Sequence, residues 1–347
     1  MKKFMKRFIT ILLVLMLVLA STACQKPSSD PVPTESTNSS SDPSNSSGET
    51  VKLTIGAASV GGGFHNGASA LANAVNSRLD GYELSVEVTG ASAANAALLK
   101  AGEVPMAMVD TTVAYEAYNG IEEFSGNAAN TLRCIFPGWP GTFMFVTMAS
   151  SNYNNITDLA GSNYSGATTG SGTQIFVSRC LELFGVKYNE LALPNADAAR
   201  GIGDGTVDGF SLMYPSSSVT ELEASHELKI LTLTDEQKNE FLARYPQYLW
   251  LSIPSDAYKC VTETIHNPGA FNLFCTSSEV EEEIVYQVVK CAYENLDAIE
   301  AVFPSCAKNM TPENISMSSI PYHIGAIRYF NEKGWDIPEN LIPAEAK

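Results

Sequence analysis

The chain has 347 residues, of which 45% are hydrophobic and 17% charged, enough apolar material for a sizeable core. Its formal net charge is −17, and loss of the basic leader described next would make the remainder more acidic still. A field of that sign excludes nucleic acid as a partner, and it requires an anionic ligand to be held by local dipoles rather than by long-range steering.

Lys2, Lys3, Lys6 and Arg7 precede an apolar run over 8–20, followed by the small residues Ser21, Thr22 and Ala23 and then Cys24. A basic start, a short apolar core and small residues describe an export leader over 1–23. The run is short for a membrane span. The segment resembles the lipobox of bacterial lipoproteins, with Ser21 where Leu is preferred, and that resemblance implies lipidation of Cys24. Ordinary cleavage and a retained anchor helix are the alternatives. Residues 24–50 are almost entirely Ser, Pro, Thr, Asn, Asp and Gly. Such a segment buries too little apolar surface to offset the entropy of ordering and reads as a tether.

The folded part opens on an alternation of Val51, Leu53 and Ile55 with Lys52 and Thr54, a strand with one buried face. Small residues follow, Ser59 and Gly61 to Gly63 among them, and then Leu71, Ala74, Val75 and Leu79 recur at helical spacing. A strand, a glycine turn and a helix start form an anion cradle, because the first N–H groups of a helix lack internal partners. Ser59, Gly62, Gly63 and Phe64 are the candidate ligand contacts here. A plain tight connection is the bland alternative. The dinucleotide-binding fingerprint fails at Asn66, and no Gly-Lys-Ser/Thr of a P-loop occurs.

The pattern repeats. A second strand over 82–88 runs into Thr89, Gly90, Ser92 and Asn95, and a helix then ends at Gly102. A buried third strand over 106–109 stops at Asp110 and Thr111 before another helix. Strands alternating with helices imply a parallel sheet with ligands at its carboxyl strand ends. Ser92, Asn95, Asp110 and Thr111 fall in those turns, although Ser92 and Asp110 are also natural helix caps. Gly90-Ala91-Ser92-Ala93-Ala94 resembles a nucleophile elbow with its final Gly replaced, but His226, His266 and His323 carry nothing that marks a partner.

Phe136 to Gly141 read as a turn-rich bend, followed by a strand over 143–146 and a crossing into a second lobe. Gly170, Ser171 and Thr173 then open an apolar helix and repeat the first cradle. Tyr214 closes a later strand. Residues 270–274 read as the return to the first lobe, and a helix with an acidic start begins near Glu279. The six cysteines after Cys24 show no two-residue spacing and read as buried thiols. The four histidines lack ligand spacing, so no metal site is expected.

In this order the motifs resemble the TAXI branch of the substrate-binding proteins of tripartite ATP-independent periplasmic (TRAP) transporters. That branch opens with Ser-Thr-Gly-Gly-Thr-Tyr-Tyr, where this chain has Ser59 to His65. Thr89, Gly90, Ser92 and Asn95 match its next signature. Val113, Ala114, Tyr115, Ala117, Tyr118 and Gly120 match a third, Gly166 to Thr173 a fourth, and Pro321, His323, Gly325 and Ala326 a fifth. The departures fall in the pocket, where Gly63 replaces Thr, and Phe64 and His65 replace two Tyr. The resemblance implies an α/β, two-lobed periplasmic-binding-protein fold of type II, each lobe a mostly parallel sheet flanked by helices. The first lobe takes 51–142 and 265–347, and the second takes 143–264. It implies a monomeric solute receptor without enzymatic activity or cofactor, anchored outside the cell membrane, which delivers a glutamate-like or dicarboxylate-like acid to a TRAP permease. A receptor for an ABC importer or a sensor is the alternative, and a secreted serine hydrolase is the remote one.

Overall fold

The computed structural model describes residues 49–347, so the leader over 1–23, Cys24 and nearly all of the tether lie outside the described residues. The chain begins β1 (Val51–Gly56), α1 (Gly63–Arg78), β2 (Tyr82–Glu87), α2 (Ser92–Ala101), β3 (Met106–Asp110) and α3 (Thr111–Asn119). β1 pairs in parallel with both β2 and β3, from Val51 opposite Tyr82 to Gly56 opposite Glu87 on the β2 side. All five residues of β3 are buried, which accounts for its unbroken apolar text. Gly102 ends α2 in the left-handed conformation at φ 70°, which a residue with a Cβ adopts only at a cost.

β4 (Leu132–Met148) then crosses to β5 (Asn163–Ser165), α4 (Gly172–Leu183), β6 (Asn189–Glu190), α5 (Asn195–Gly203), β7 (Gly209–Tyr214) and α6 (Ser217–Leu222). Next come β8 (Leu228–Leu231), α7 (Asp235–Arg244) and β9 (Leu249–Ile253). β10 (Ile265–Ser277) returns, followed by α8 (Glu282–Glu294), α9 (Leu296–Glu300), α10 (Pro304–Asn309) and α11 (Ile324–Lys333). The strands form one curled sheet in the order β2-β1-β3-β10-β4-β7-β5-β6, with β8 on β4 and β9 on β10. Helices flank it in a mixed α/β architecture. One hydrophobic core joins Ile55, Leu71, Val109, Phe136, Phe274, Val288 and Phe330. Two others draw on the middle of the chain, around Phe143, Phe176 and Phe241 and around Met144, Phe210 and Val219. Phe143 stacks on Phe176 with ring centroids 4.3 Å apart.

The residues from Phe136 to Gly141 are not a bend. They lie inside β4, a continuous strand of 17 residues that pairs antiparallel with β10 and carries the chain from one core to the next. Pro137 and Pro140 are tolerated because the β4–β10 ladder shifts register between Asn272 and Leu273 and between Phe274 and Cys275, and proline fits at such irregularities. Gly141 serves close packing rather than turning: a Cβ there would stand 2.5 Å from Met213 Cε and 2.9 Å from Asn272 Nδ2. His323 caps α11, its ring accepting from the Gly325 N–H. The six cysteines are free, and Cys134 and Cys275 are cross-strand partners on β4 and β10. Burial pushes the Cys134 thiol up to about 12.

Candidate functional site

A cavity lies between the two lobes where the carboxyl ends of β1 and β3 face the starts of α4 and α5 and the end of β7. Its volume is about 70 Å³, room for a small solute. Ser59, Gly62, Gly63, Phe64, Ser92 and Asp110 line it from the first lobe, and Ser171, Thr173 and Tyr214 from the second. Both glycine turns therefore open onto one space.

The start of α1 is uncapped. Gly62 offers no side-chain acceptor, no acidic residue stands in the first turn, and Gly63 and Phe64 lie on the cavity wall. Trp139 forms the floor against this turn: a Cβ on Gly63 would meet its Cζ2 at 3.3 Å, and one on Gly67 would meet its Cη2 at 2.4 Å. Glycine at these two positions lets the helix ride on the indole. The start of α4 differs. Ser171 caps it by accepting from the Gln174 N–H. A Cβ on Gly172 would lie 2.1 Å from Asp110 Oδ2, so a carboxylate of the first lobe rests against the first turn of α4. That turn carries positive partial charge, which favours the contact.

Asp110 is buried and doubly employed. Its Oδ1 accepts from the N–H groups of Thr112 and Val113 at 3.0 Å each, capping α3. Its Oδ2 accepts from the Ser92 hydroxyl at 2.6 Å. Burial pushes the carboxyl above its ordinary range, against those hydrogen bonds and the nearby Arg179 charge. Ser92 is thus turned towards an acid, and no histidine lines the cavity among the described residues, which leaves the nucleophile-elbow reading without the histidine it needs. Backbone strain marks the same walls. Ala91 holds φ 67° and ψ −150°, and Ala167 holds φ 77°, one in each lobe and both on the cavity. Such conformations cluster where a site needs the backbone aimed in a set direction.

Three candidate residues lie off the cavity. Asn95 is fully buried beneath it: its Nδ2 donates to the carbonyls of Ala57 at 2.8 Å and Met108 at 2.7 Å, and its Oδ1 accepts from Thr89 at 2.6 Å. It ties the ends of β1 and β3 together and keeps no free group for a ligand. Thr111 Oγ1 accepts from the Phe271 N–H at 3.0 Å. Gly170 gives its carbonyl to the Ala93 N–H at 3.0 Å, a bond between lobes. Sequence reasoning missed Trp139, Asn195 and Asn272, all on the cavity wall. Asn272 carried a signal, as the one polar residue in an apolar run over 270–274.

A cluster of charges bridges α3 and α4 away from the cavity lining. Arg179 of α4 donates to both carboxylate oxygens of Glu116 on α3, at 2.7 and 2.8 Å, and also to Glu123. Gln247 Nε2 donates to Glu116 at 2.6 Å. Ser217 Oγ donates to the Gly61 carbonyl at 3.1 Å near the opposite rim. Among the described residues no three His, Cys, Asp or Glu side chains gather as metal ligands, and no helix is long and apolar enough to cross a membrane.

This geometry can be set beside known proteins. A sequence model of the NMT1-like family matches residues 55–334. A solved structure described as a periplasmic transporter superposes with a TM-score of 0.51 at 12% identity, covering 76% of this chain and 88% of that one. A Streptococcus mutans protein described in connection with glutathione import through a cystine ABC importer gives 0.48 at 15% identity, over 75% and 96% of the two chains. The alkanesulfonate-binding protein of Xanthomonas axonopodis pv. citri, bound to MOPS, gives 0.45 at 14% identity, over 86% and 99%. The first of these likenesses agrees with the two-lobed type II periplasmic-binding-protein architecture built above, and the match over most of the described residues places the chain in the NMT1-like family.

Proposed function

We propose that this protein captures a small carboxylate-bearing solute outside the cytoplasm and hands it to a membrane permease, without chemical change to the solute. The observation that carries this reading is the cavity between two lobes, walled by backbone turns and short hydroxyls, with no histidine beside its serines among the described residues. The solute would contact one lobe first, and contacts from the other would then favour closure about β4 and β10. Ser59, Gly62, Gly63, Phe64, Ser171, Thr173 and Tyr214 are its proposed contacts. The permease of an ATP-driven importer is the first partner to test, because the Streptococcus neighbour is described with such a system. A TRAP permease is the second reading, supported by the order of the five sequence motifs. The domain is proposed to act as a monomer tethered through a lipid on Cys24.

Native mass spectrometry of the purified protein, with small-angle scattering before and after solute removal, tests the reading. A co-purified small molecule and a wider envelope once it is gone are expected. One unchanging envelope and no bound solute under any condition would overturn it. Turnover of an ester or amide, abolished in Ser92→Ala, would revive the hydrolase.

A further inference from the structure

Building on the receptor reading, we infer that the solute carries a protonated amine, received by the Asn272 side-chain carbonyl and the Asp110 carboxylate, with its own carboxylate turned towards the start of α1. Asn272 is 1% exposed and lines the cavity. Its Nδ2 donates to the Trp139 carbonyl at 3.0 Å. A carbonyl can only accept, so this bond fixes which end of the amide is which. Oδ1 is then a buried acceptor with no hydrogen-bond partner among the described residues. Leaving such an atom unmatched is costly, and a bound donor relieves the cost.

Asp110 stands beside it. The two residues are direct cross-strand partners on β10 and β3, so their side chains leave the sheet on the same face. Three of the four lone-pair directions of the Asp110 carboxylate are taken, by Ser92, Thr112 and Val113. The pair therefore keeps open acceptors at Asn272 Oδ1 and Asp110 Oδ2, against the single N–H of Asn272 that Trp139 does not take. An ammonium group is the complement, with three donors and a compensating charge. Among the described residues no Lys, Arg or His lines the cavity, and Asp110 is the only charged side chain that does. A dicarboxylate without an amine would set a second anion near Asp110 with no cation on the cavity wall to balance it, because the nearby Arg179 is engaged by Glu116 and Glu123. Another part of the wall suits one carboxylate, because the uncapped first turn of α1 presents N–H groups at Gly63 and Phe64.

The test is isothermal titration of the solute-free mature protein with the common amino acids and with their 2-oxo analogues, alanine against pyruvate and glutamate against 2-oxoglutarate among them. For the amino acids that bind, we expect the 2-oxo partner to bind weaker by on the order of 100-fold or more, as when a site built around an N–H meets an analogue lacking it. In Asn272→Leu that ratio should shrink at least tenfold, with a thermal melt showing that the variant is folded. The wild-type ratio decides the matter even if the variant is not. Equal or tighter binding of the 2-oxo acids overturns the inference and leaves the receptor reading in place. So does a co-purified solute without a protonated amine. Failure of any small solute to bind overturns both.

Discussion

At the scale of single residues, the site is set by a few positions where a side chain would be in the way or the backbone is held against its preference. Gly172 is the clearest. A methyl group there would collide with Asp110 Oδ2, so Gly172→Ala should leave each lobe folded but keep them from meeting. Solute affinity is expected to fall by about tenfold or more, with a larger scattering radius; a variant that binds normally would show that the contact is dispensable. Ala91 argues the converse. Its φ of 67° and ψ of −150° suit glycine, so Ala91→Gly should stabilise the protein by about 1 kcal/mol. Urea unfolding measures this, and a loss of stability would mean that the methyl group contributes packing that outweighs the strain. The sequence exposed part of this detail. Asp110 was legible as a helix cap because its residue type and position favour that role, and it is one. Asn95 looked equally free from its place in a turn, yet its amide is consumed by strand carbonyls, a long-range fact that no local pattern encodes.

At the scale of elements, α3 and α4 meet through an ion pair that is almost wholly dry, with 6% of the Arg179 side chain and none of Glu116 exposed. Burial raises Glu116 from its ordinary range, and the Arg179 bonds oppose that rise. Breaking such a pair leaves a charge in a poor medium. Arg179→Met is expected to cost about 3–5 kcal/mol, whereas Arg179→Met combined with Glu116→Leu should recover most of the loss. Thermal melts of the two variants check this, and a double variant no better than the single would assign the cost to packing. The strand–turn–helix repeats of the first lobe were legible because period-two and helical spacings are local. The long β4 was not. Its prolines and glycines are the ordinary vocabulary of a turn, and only the irregular ladder with β10, more than a hundred residues away, makes them a strand.

At the scale of the molecule, protons link the site to stability. The folded protein holds the Asp110 proton more tightly than the unfolded chain, whose value is near the ordinary 3.8. Stability from this group is therefore fully present below that pH and is lost as pH rises through the raised folded value. The melting temperature of Asp110→Asn relative to wild type should climb across that window, and a constant difference would show that Asp110 titrates normally. Fold class followed from the alternation of elements and from the motif order. The ligand's chemistry did not, because it depends on which acceptors remain unmatched once everything has packed.

β10 occupies the centre of the first lobe's sheet, between β3 and β4, yet among the described residues it is the last strand to be made. A nascent chain on the ribosome has therefore emitted both partners of this ladder, and the whole of the intervening lobe, before residues 265–277 can bridge them. Until then the amino-terminal third has no closed sheet and exposes an apolar edge. Such delay makes late synthesis the step at which chaperones would matter most.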